Sequence, residues 1–135
     1  IHNNCLVCSD SKRLHKAELT AEYQDGYYRV LKSNKRHIIL VKVNDELDWP
    51  EYEQLFDITD PKEIKCYIED YFPIVGRVAA LIIRALPDNA SINPQYLKDL
   101  AYAGEQDFTA KVNGSGAVLF ESGPLSAAIM TIHMG

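Results

Sequence analysis

The sequence lacks several features that would identify a function directly. It has no long uninterrupted hydrophobic run, because the apolar stretch from Pro73 to Leu86 is broken by Arg77 and Arg84. That stretch is too short to span a bilayer and predicts a buried helix rather than a transmembrane segment. We find no targeting segment, internal repeat or low-complexity tract. These absences favour an ordinary folded domain.

Signatures of catalysis are missing as well. There is no G-x-S-x-G nucleophile elbow, and the loop from Asn113 to Gly116 has neither the lysine of a P-loop nor the spacing of a dinucleotide-binding turn. The acidic segment from Asn44 to Asp60 contains no glycine, which excludes an EF-hand. We therefore predict no catalytic residues and expect the protein to be non-enzymatic.

Cysteine is scarce, and the three residues are Cys5, Cys8 and Cys66. An odd number does not make a closed disulfide framework, which favours a reducing compartment such as the cytoplasm. Cys5 and Cys8 form a C-x-x-C pair, and His15 follows as a candidate third ligand of zinc. A second C-x-x-C pair or paired histidines, which such a site normally needs, is absent. No other cofactor is predicted.

The run from Cys5 to His15 resembles the opening of zinc-bearing HNH nucleases. Over this short run, the resemblance implies an alternative function as a zinc-containing enzyme such as a nuclease.

Charge is divided unevenly along the chain, although the net charge is only −5. Residues 1–44 are basic overall, whereas residues 45–107 are strongly acidic. Such a division often produces a charged patch for a partner. Aromatic residues within the acidic segment resemble the anchors of interface hot spots. We therefore predict a protein-binding site for a partner with a basic surface at Asp45, Glu46, Asp48, Trp49 and Tyr52.

A basic hairpin tip offers a second, less supported binding hypothesis. Lys32, Lys35 and Arg36 lie close to Tyr27 and Tyr28, a combination that suits phosphate contacts and base stacking. The overall acidity of the chain argues against a dedicated nucleic-acid-binding module. This module remains an alternative function.

The segment from Ala17 to Val43 predicts a three-stranded antiparallel meander. Turns at Asp25-Gly26 and near Asn34-Lys35 would place Tyr28 and Val30 on one apolar face with Ile39, Val41 and Val43. An acidic N-cap residue at Asp60, a proline at Pro61 and Glu63 in the first turn precede an i, i+3, i+4, i+7 apolar stripe from Ile64 to Tyr71, and together they predict a helix.

Further helices are predicted at residues 74–86 and from Asn93-Pro94. Extended patterns at Phe108 to Val112 and Ala117 to Glu121 predict a hairpin, and a last strand is expected near Ala127 to Met134. The predicted fold class is α+β, with a meander, two to three helices and C-terminal strands on a largely antiparallel sheet.

We expect the 135 residues to form a single domain. Its predicted segments are an N-terminal arm (1–14), a β-meander (15–44), an acidic connector (45–60), helices (61–104) and C-terminal strands (105–135). The chain begins with Ile1 rather than Met, which favours a portion of a larger assembly. The leading functional hypothesis is accordingly a protein–protein interaction domain, either a soluble subunit or a fragment of an assembly.

Overall fold

The computed structural model describes residues 1–34, 36–43, 51–67, 76–103, 107–113 and 116–133. None of the helices in these ranges is long and apolar enough to cross a membrane. The helices are α1 (Gly76–Ala85) and α2 (Pro94–Ala103), with a short 3₁₀ helix at Glu53–Phe56. The strands are β1 (Cys5–Ser9), β2 (Arg13–Glu18), β3 (Tyr27–Ser33), β4 (Ile38–Val43), β5 (Lys62–Cys66), β6 (Ala90–Ser91), β7 (Phe108–Val112), β8 (Ala117–Ser122), β9 (Leu125–Met130) and β10 (Ile132–His133).

Six of these strands form one antiparallel sheet in the order β1-β2-β9-β8-β7-β5. Pairing of β2 with β9 joins the N-terminal hairpin to the C-terminal strands. The β8–β9 hairpin turns tightly, since Ser122 pairs with Leu125. Gly123 makes this turn with a φ of 54°, a conformation that glycine adopts without steric cost. The pairs β3–β4 and β6–β10 form separate two-stranded sheets.

The two helices cover one face of the six-stranded sheet. Strand β7 shows how this face is built, because Phe108, Ala110 and Val112 are buried while the alternate residues are half-buried. The apolar stripes of α1 and α2 pack onto the same face and complete the core. Its fully buried members include Val78, Ile82, Leu97, Leu100, Val118, Phe120 and Ile129.

The 3₁₀ helix packs against the opposite face of the sheet. Leu55 lines a small cavity together with Leu14 and Ala128, which lie opposite each other in the β2–β9 ladder. The ammonium group of Lys16 lies 4.5 Å from the centre of the Phe56 ring, a cation–π contact. Among the described residues, the helices therefore cover one apolar face of the sheet, and the 3₁₀ helix covers part of the other.

Several predicted elements are confirmed. Helix α1 lies within the predicted residues 74–86, and α2 begins at Pro94 as expected. The side-chain oxygen of Asn93 accepts a hydrogen bond from the backbone N–H of Gln95 at 3.0 Å, which is an N-cap interaction. The β7–β8 hairpin and the α+β class with an antiparallel sheet are also as predicted.

The prediction of a helix that starts at Asp60-Pro61 is wrong for the residues that the structure describes. Lys62–Cys66 is strand β5, paired with β7, and Cys66 lies opposite Phe108 in the core. Asp60 has a φ of 46° instead of the extended conformation of an N-cap residue. Pairing with a strand that is distant in sequence has overridden the local helical pattern. The remaining residues of the predicted stripe, Ile68 and Tyr71, lie outside the described residues.

The predicted three-stranded meander is also wrong in its first strand. Of the predicted first strand, only Ala17 and Glu18 lie in a strand, β2, which is paired with β1 and β9, and residues 19–24 form no strand. Asp25-Gly26 is not a hairpin turn, because the backbone N–H of Gly26 donates to the carbonyl oxygen of Ile1 at 2.9 Å. The side chain of Asn4 instead organises the segment before it, donating to Ala21 O at 2.9 Å and accepting from Tyr23 N at 3.0 Å.

Both ends of the chain differ in detail from the predictions. The predicted arm contains strand β1 and the start of β2, and the last long strand begins at Leu125 rather than near Ala127. The second predicted hairpin is confirmed as β3–β4, but Tyr28 lies opposite Lys42 and Val30 opposite Leu40. The predicted face shared with Ile39, Val41 and Val43 is therefore wrong by one residue.

Burial predicts which side chains hold the fold together. We expect Phe120→Ala to lower the free energy of unfolding by about 3–5 kcal/mol, because it leaves a cavity in the core. Phe120 is fully buried, whereas Met130, on the neighbouring strand, is largely exposed. Urea denaturation of both alanine variants checks this expectation. Equal losses for Phe120→Ala and Met130→Ala would contradict the proposed core.

Candidate interaction site

The β3–β4 hairpin carries apolar side chains that the rest of the described chain does not cover. Their exposed fractions lie between 41% and 57%, whereas such side chains are normally buried in a core. We call this set the apolar hairpin surface. It consists of Val30, Leu31, Ile38, Ile39 and Val41, with Val30 and Ile38 on one face of the hairpin and Ile39 and Val41 on the other.

A β-bulge at Leu31 shapes this surface. Val30 lies opposite Leu40, but the next pair in the ladder is Lys32 with Ile39, so Leu31 is left without a cross-strand partner. In a regular strand, residues three apart point to opposite faces. The extra residue of the bulge puts Lys32 on the same face as Arg29, which lies opposite Val41. Two basic side chains thus alternate with two apolar ones on a single face.

The base of the hairpin is tied to the N-terminal segment. Ile1 and Gly26 exchange two hydrogen bonds, with the amino group of Ile1 donating to Gly26 O at 2.7 Å. The side chain of Lys42 lies across Gly26, so a Cβ atom there would be 2.5 Å from Lys42 Cε. The hydroxyl of Tyr28 donates to Gln24 O at 2.6 Å. These contacts hold the hairpin against the body through its base.

A largely apolar groove runs between the hairpin and the body. Its volume is about 400 Å³, enough for side chains of a bound peptide. The hairpin contributes one wall and the N-terminal segment the other. The lining residues include Ile1, Leu6, Leu19, Tyr23, Ile38 and Leu40.

The predicted zinc ligands lie on β1 and β2. Cys8 and His15 are directly opposite each other in the ladder, but Cys5 lies opposite Glu18. Because side chains alternate along a strand, Cys5 points to the other face of the sheet from Cys8. The three predicted ligands therefore do not converge. No group of three or more His, Cys, Asp or Glu in the described ranges is arranged to hold a metal ion. Zinc binding stays a prediction, because no set of zinc ligands is found in the described ranges.

Arg13 fastens the strand that carries His15 to helix α2. Its Nε donates to Asp10 Oδ2 at 3.1 Å, and its guanidinium also pairs with the carboxylate of Asp99. The guanidinium carbon lies 4.4 Å from the centre of the Tyr96 ring. His15 also lines a second apolar cavity, of about 250 Å³, together with residues of β1, α2 and β9.

The other predicted site residues belong to the acidic segment and to the basic hairpin tip. Asp45, Glu46, Asp48 and Trp49 lie outside the described residues, as does Lys35. Lys32 and Arg36 are exposed on the hairpin and its loop.

Tyr52 is buried, and its hydroxyl lies 2.7 Å from His2 Nδ1, so its ring is not available to a partner in this conformation. Burial raises the pKa of Tyr52, with a smaller contribution from Glu53.

The apolar hairpin surface was missed because alternation along β3 and β4 is typical of a core-facing strand. The bulge at Leu31 leaves no mark in the sequence that a two-residue period would detect. One signal was present. Arg29, Lys32 and Lys42 are interspersed with the apolar residues on both strands, which is more typical of a solvent-exposed edge than of a core.

Stability should depend on the protonation of His15. Burial lowers the pKa of His15, and the nearby Arg13 lowers it further, while Asp99 and Asp10 act in the opposite direction. The neutral form therefore favours folding. Its contribution is fully present above the unfolded pKa of about 6.5 and is lost as the pH falls from there through the folded pKa.

We accordingly expect the free energy of unfolding to fall between about pH 7 and pH 5, and to fall less steeply in His15→Gln. Urea denaturation across this range measures both slopes. The pKa of Asp10 is also lowered, mainly because the backbone N–H of Lys12 donates a hydrogen bond to its carboxylate. This shift changes the free energy of unfolding only below the ordinary aspartate pKa of about 3.9, outside the range from pH 7 to pH 5. Parallel profiles for the two proteins would contradict the expectation.

Comparison with known proteins identifies the fold. No protein-family model matches the chain, and no curated protein sequence matches it. Its structure is similar to that of the β clamp of Helicobacter pylori, described as bound to a DNA ligase peptide, with a TM-score of 0.60 and 14% sequence identity. The similarity covers 95% of this chain and 53% of the clamp chain, so this chain spans about half the length of that protein. The mixed α+β fold thus resembles a β-clamp domain.

Proposed function

We propose that this chain is a non-enzymatic protein-interaction domain that docks a partner on the apolar hairpin surface. The observation that carries the proposal is the exposure of Val30, Leu31, Ile38, Ile39 and Val41 on one hairpin. Val30 and Ile38 lie on one face of the hairpin and Ile39 and Val41 on the other, so each face exposes apolar side chains. Clustered exposed apolar side chains mark interaction sites more often than isolated ones do. Removing them from water on binding would supply the driving force.

Two further features support docking. In the described residues, β3 and β4 pair only with each other, so each has one edge with unpaired backbone groups. An extended segment can add to such an edge as a further strand. The apolar groove beside the hairpin offers a place for side chains of the same segment.

The similarity in fold is consistent with this function. The H. pylori β clamp was crystallised with a peptide of DNA ligase, so a protein of this architecture binds a peptide. This chain spans about half of that protein and is 14% identical to it in sequence. The similarity therefore supports peptide docking in general but does not identify a partner. The acidic segment with Asp45, Glu46, Asp48 and Trp49 stays a second predicted contact region.

Peptide selection tests the proposal directly. Peptides selected from a displayed library on the folded wild-type chain are labelled, and their affinities are measured by fluorescence anisotropy. We expect the double variant Ile39→Ser/Val41→Ser to bind them about tenfold more weakly, because each substitution removes apolar surface that the peptide would bury.

Matched controls separate docking from loss of structure. Leu55 and Ile132 are exposed to a similar extent but lie outside the hairpin, so Leu55→Ser/Ile132→Ser should bind as the wild type does. Circular dichroism should show both double variants to be folded. Selected peptides that bind Ile39→Ser/Val41→Ser as tightly as the wild type would refute this docking surface.

A further inference from the structure

We propose that the hairpin selects an extended partner segment in which acidic side chains stand next to apolar ones. This inference rests on the proposed function and adds the chemistry of the partner. Its basis is charge. Between Tyr27 and Val43 the sequence contains no Asp or Glu, and its basic residues are Arg29, Lys32, Lys35, Arg36 and Lys42. The hairpin is thus basic in a chain whose net charge is −5.

The basic side chains at the described positions of the hairpin form no ion pairs within the described chain. In the described part of the chain, Arg29, Lys32, Arg36 and Lys42 take part in no ion pair. By contrast, Arg13 on the main sheet is paired with two carboxylates. Cations that have no internal partner are free to pair with acidic groups of another molecule, and such complementarity sets the choice of partner.

The register specifies how acidic and apolar groups must be spaced. Arg29 lies opposite Val41 and Lys32 opposite Ile39, all four exposed on one face. Side chains directly opposite each other in an antiparallel ladder are separated by about 5 Å at Cβ. A bound segment that places a carboxylate at Arg29 therefore has an apolar contact at Val41 within the same short stretch. Because of the bulge at Leu31, the next pair on this face again combines a cation with an aliphatic side chain, Lys32 with Ile39.

The free strand edges explain why the segment should be extended. Basic side chains on an edge strand ordinarily prevent pairing with other strands, because they repel or must be desolvated. An incoming strand with carboxylates would neutralise them, whereas a neutral or basic strand would not. The same basic residues would thus disfavour pairing of the edge with neutral or basic strands and favour pairing with an acidic strand.

The exposed side chains favour a peptide over a nucleic acid. Single-stranded nucleic acids are bound by aromatic side chains on which bases stack. On this hairpin the exposed apolar residues are aliphatic, while Tyr27 and Tyr28 are half-buried. Tyr28 also uses its hydroxyl to bond Gln24 O. A second copy of the hairpin is disfavoured as occupant, because the like charges of the two surfaces would repel.

Two synthetic peptides test this inference. One carries Glu in turn with Val or Leu at every second position, so that acidic and apolar side chains share one face of the extended chain, and the other has Gln in place of each Glu. We expect anisotropy titrations at low salt to give about tenfold tighter binding of the acidic peptide. The difference should shrink as salt is raised, because exposed charge pairs are screened. In Arg29→Gln/Lys32→Gln the preference should be largely lost.

The control variant is Arg84→Gln/Lys98→Gln, which removes the same two residue types from exposed helical positions and should keep the preference. Equal binding of the acidic and neutral peptides, or no binding of the acidic peptide, would overturn the inference. If library-selected neutral peptides still lose affinity in Ile39→Ser/Val41→Ser, docking on the hairpin stands and only the acidic preference fails. Tighter binding of a single-stranded DNA oligonucleotide than of the acidic peptide, lost in Arg29→Gln/Lys32→Gln, would also overturn it.

Discussion

The architecture depends on covering one apolar face of the six-stranded sheet. Val118, Phe120 and Ile129 lie on this face and are fully buried beneath the helices. Their burial provides the main favourable contribution to folding, since apolar surface removed from water dominates the stability of small domains. Helices α1 and α2 both pack on this face, so neither covers the β3–β4 hairpin. Within the described residues, the packed core and the exposed side chains of the hairpin are therefore separate.

The N-terminal segment links these two parts. Ile1 bonds to Gly26 at the base of the hairpin, His2 contacts buried Tyr52 before the 3₁₀ helix, and Asn4 holds the segment that leads to β3. Each contact joins residues far apart in sequence through backbone or side-chain hydrogen bonds. The hairpin is therefore held at its base by polar contacts, while Val30, Leu31 and Val41 are among the apolar side chains that stay exposed.

The bulge at Leu31 connects local geometry to the proposed specificity. A single extra residue moves Lys32 to the face of Arg29, and each of these cations acquires an exposed aliphatic neighbour on β4. Bulges commonly redirect side chains at sheet edges. Here the redirected side chain adds a second cation with an exposed aliphatic neighbour to the face that already carries Arg29 and Val41, which is the property on which the acidic-segment proposal depends.

The sequence alone determined the elements whose signals are local. Helix α2 was predictable from Asn93-Pro94 because capping and proline geometry act within one turn, and the β7–β8 hairpin was predictable from alternating residues around a glycine-containing loop. Only the tertiary structure decided the pairing of β2 with β9 and the conversion of Lys62–Cys66 into a strand. Both depend on partners distant in the chain, whose ladders outweigh local helical or hairpin preferences. The same holds for the candidate site: its residue types were visible, but their exposure depended on where the helices packed.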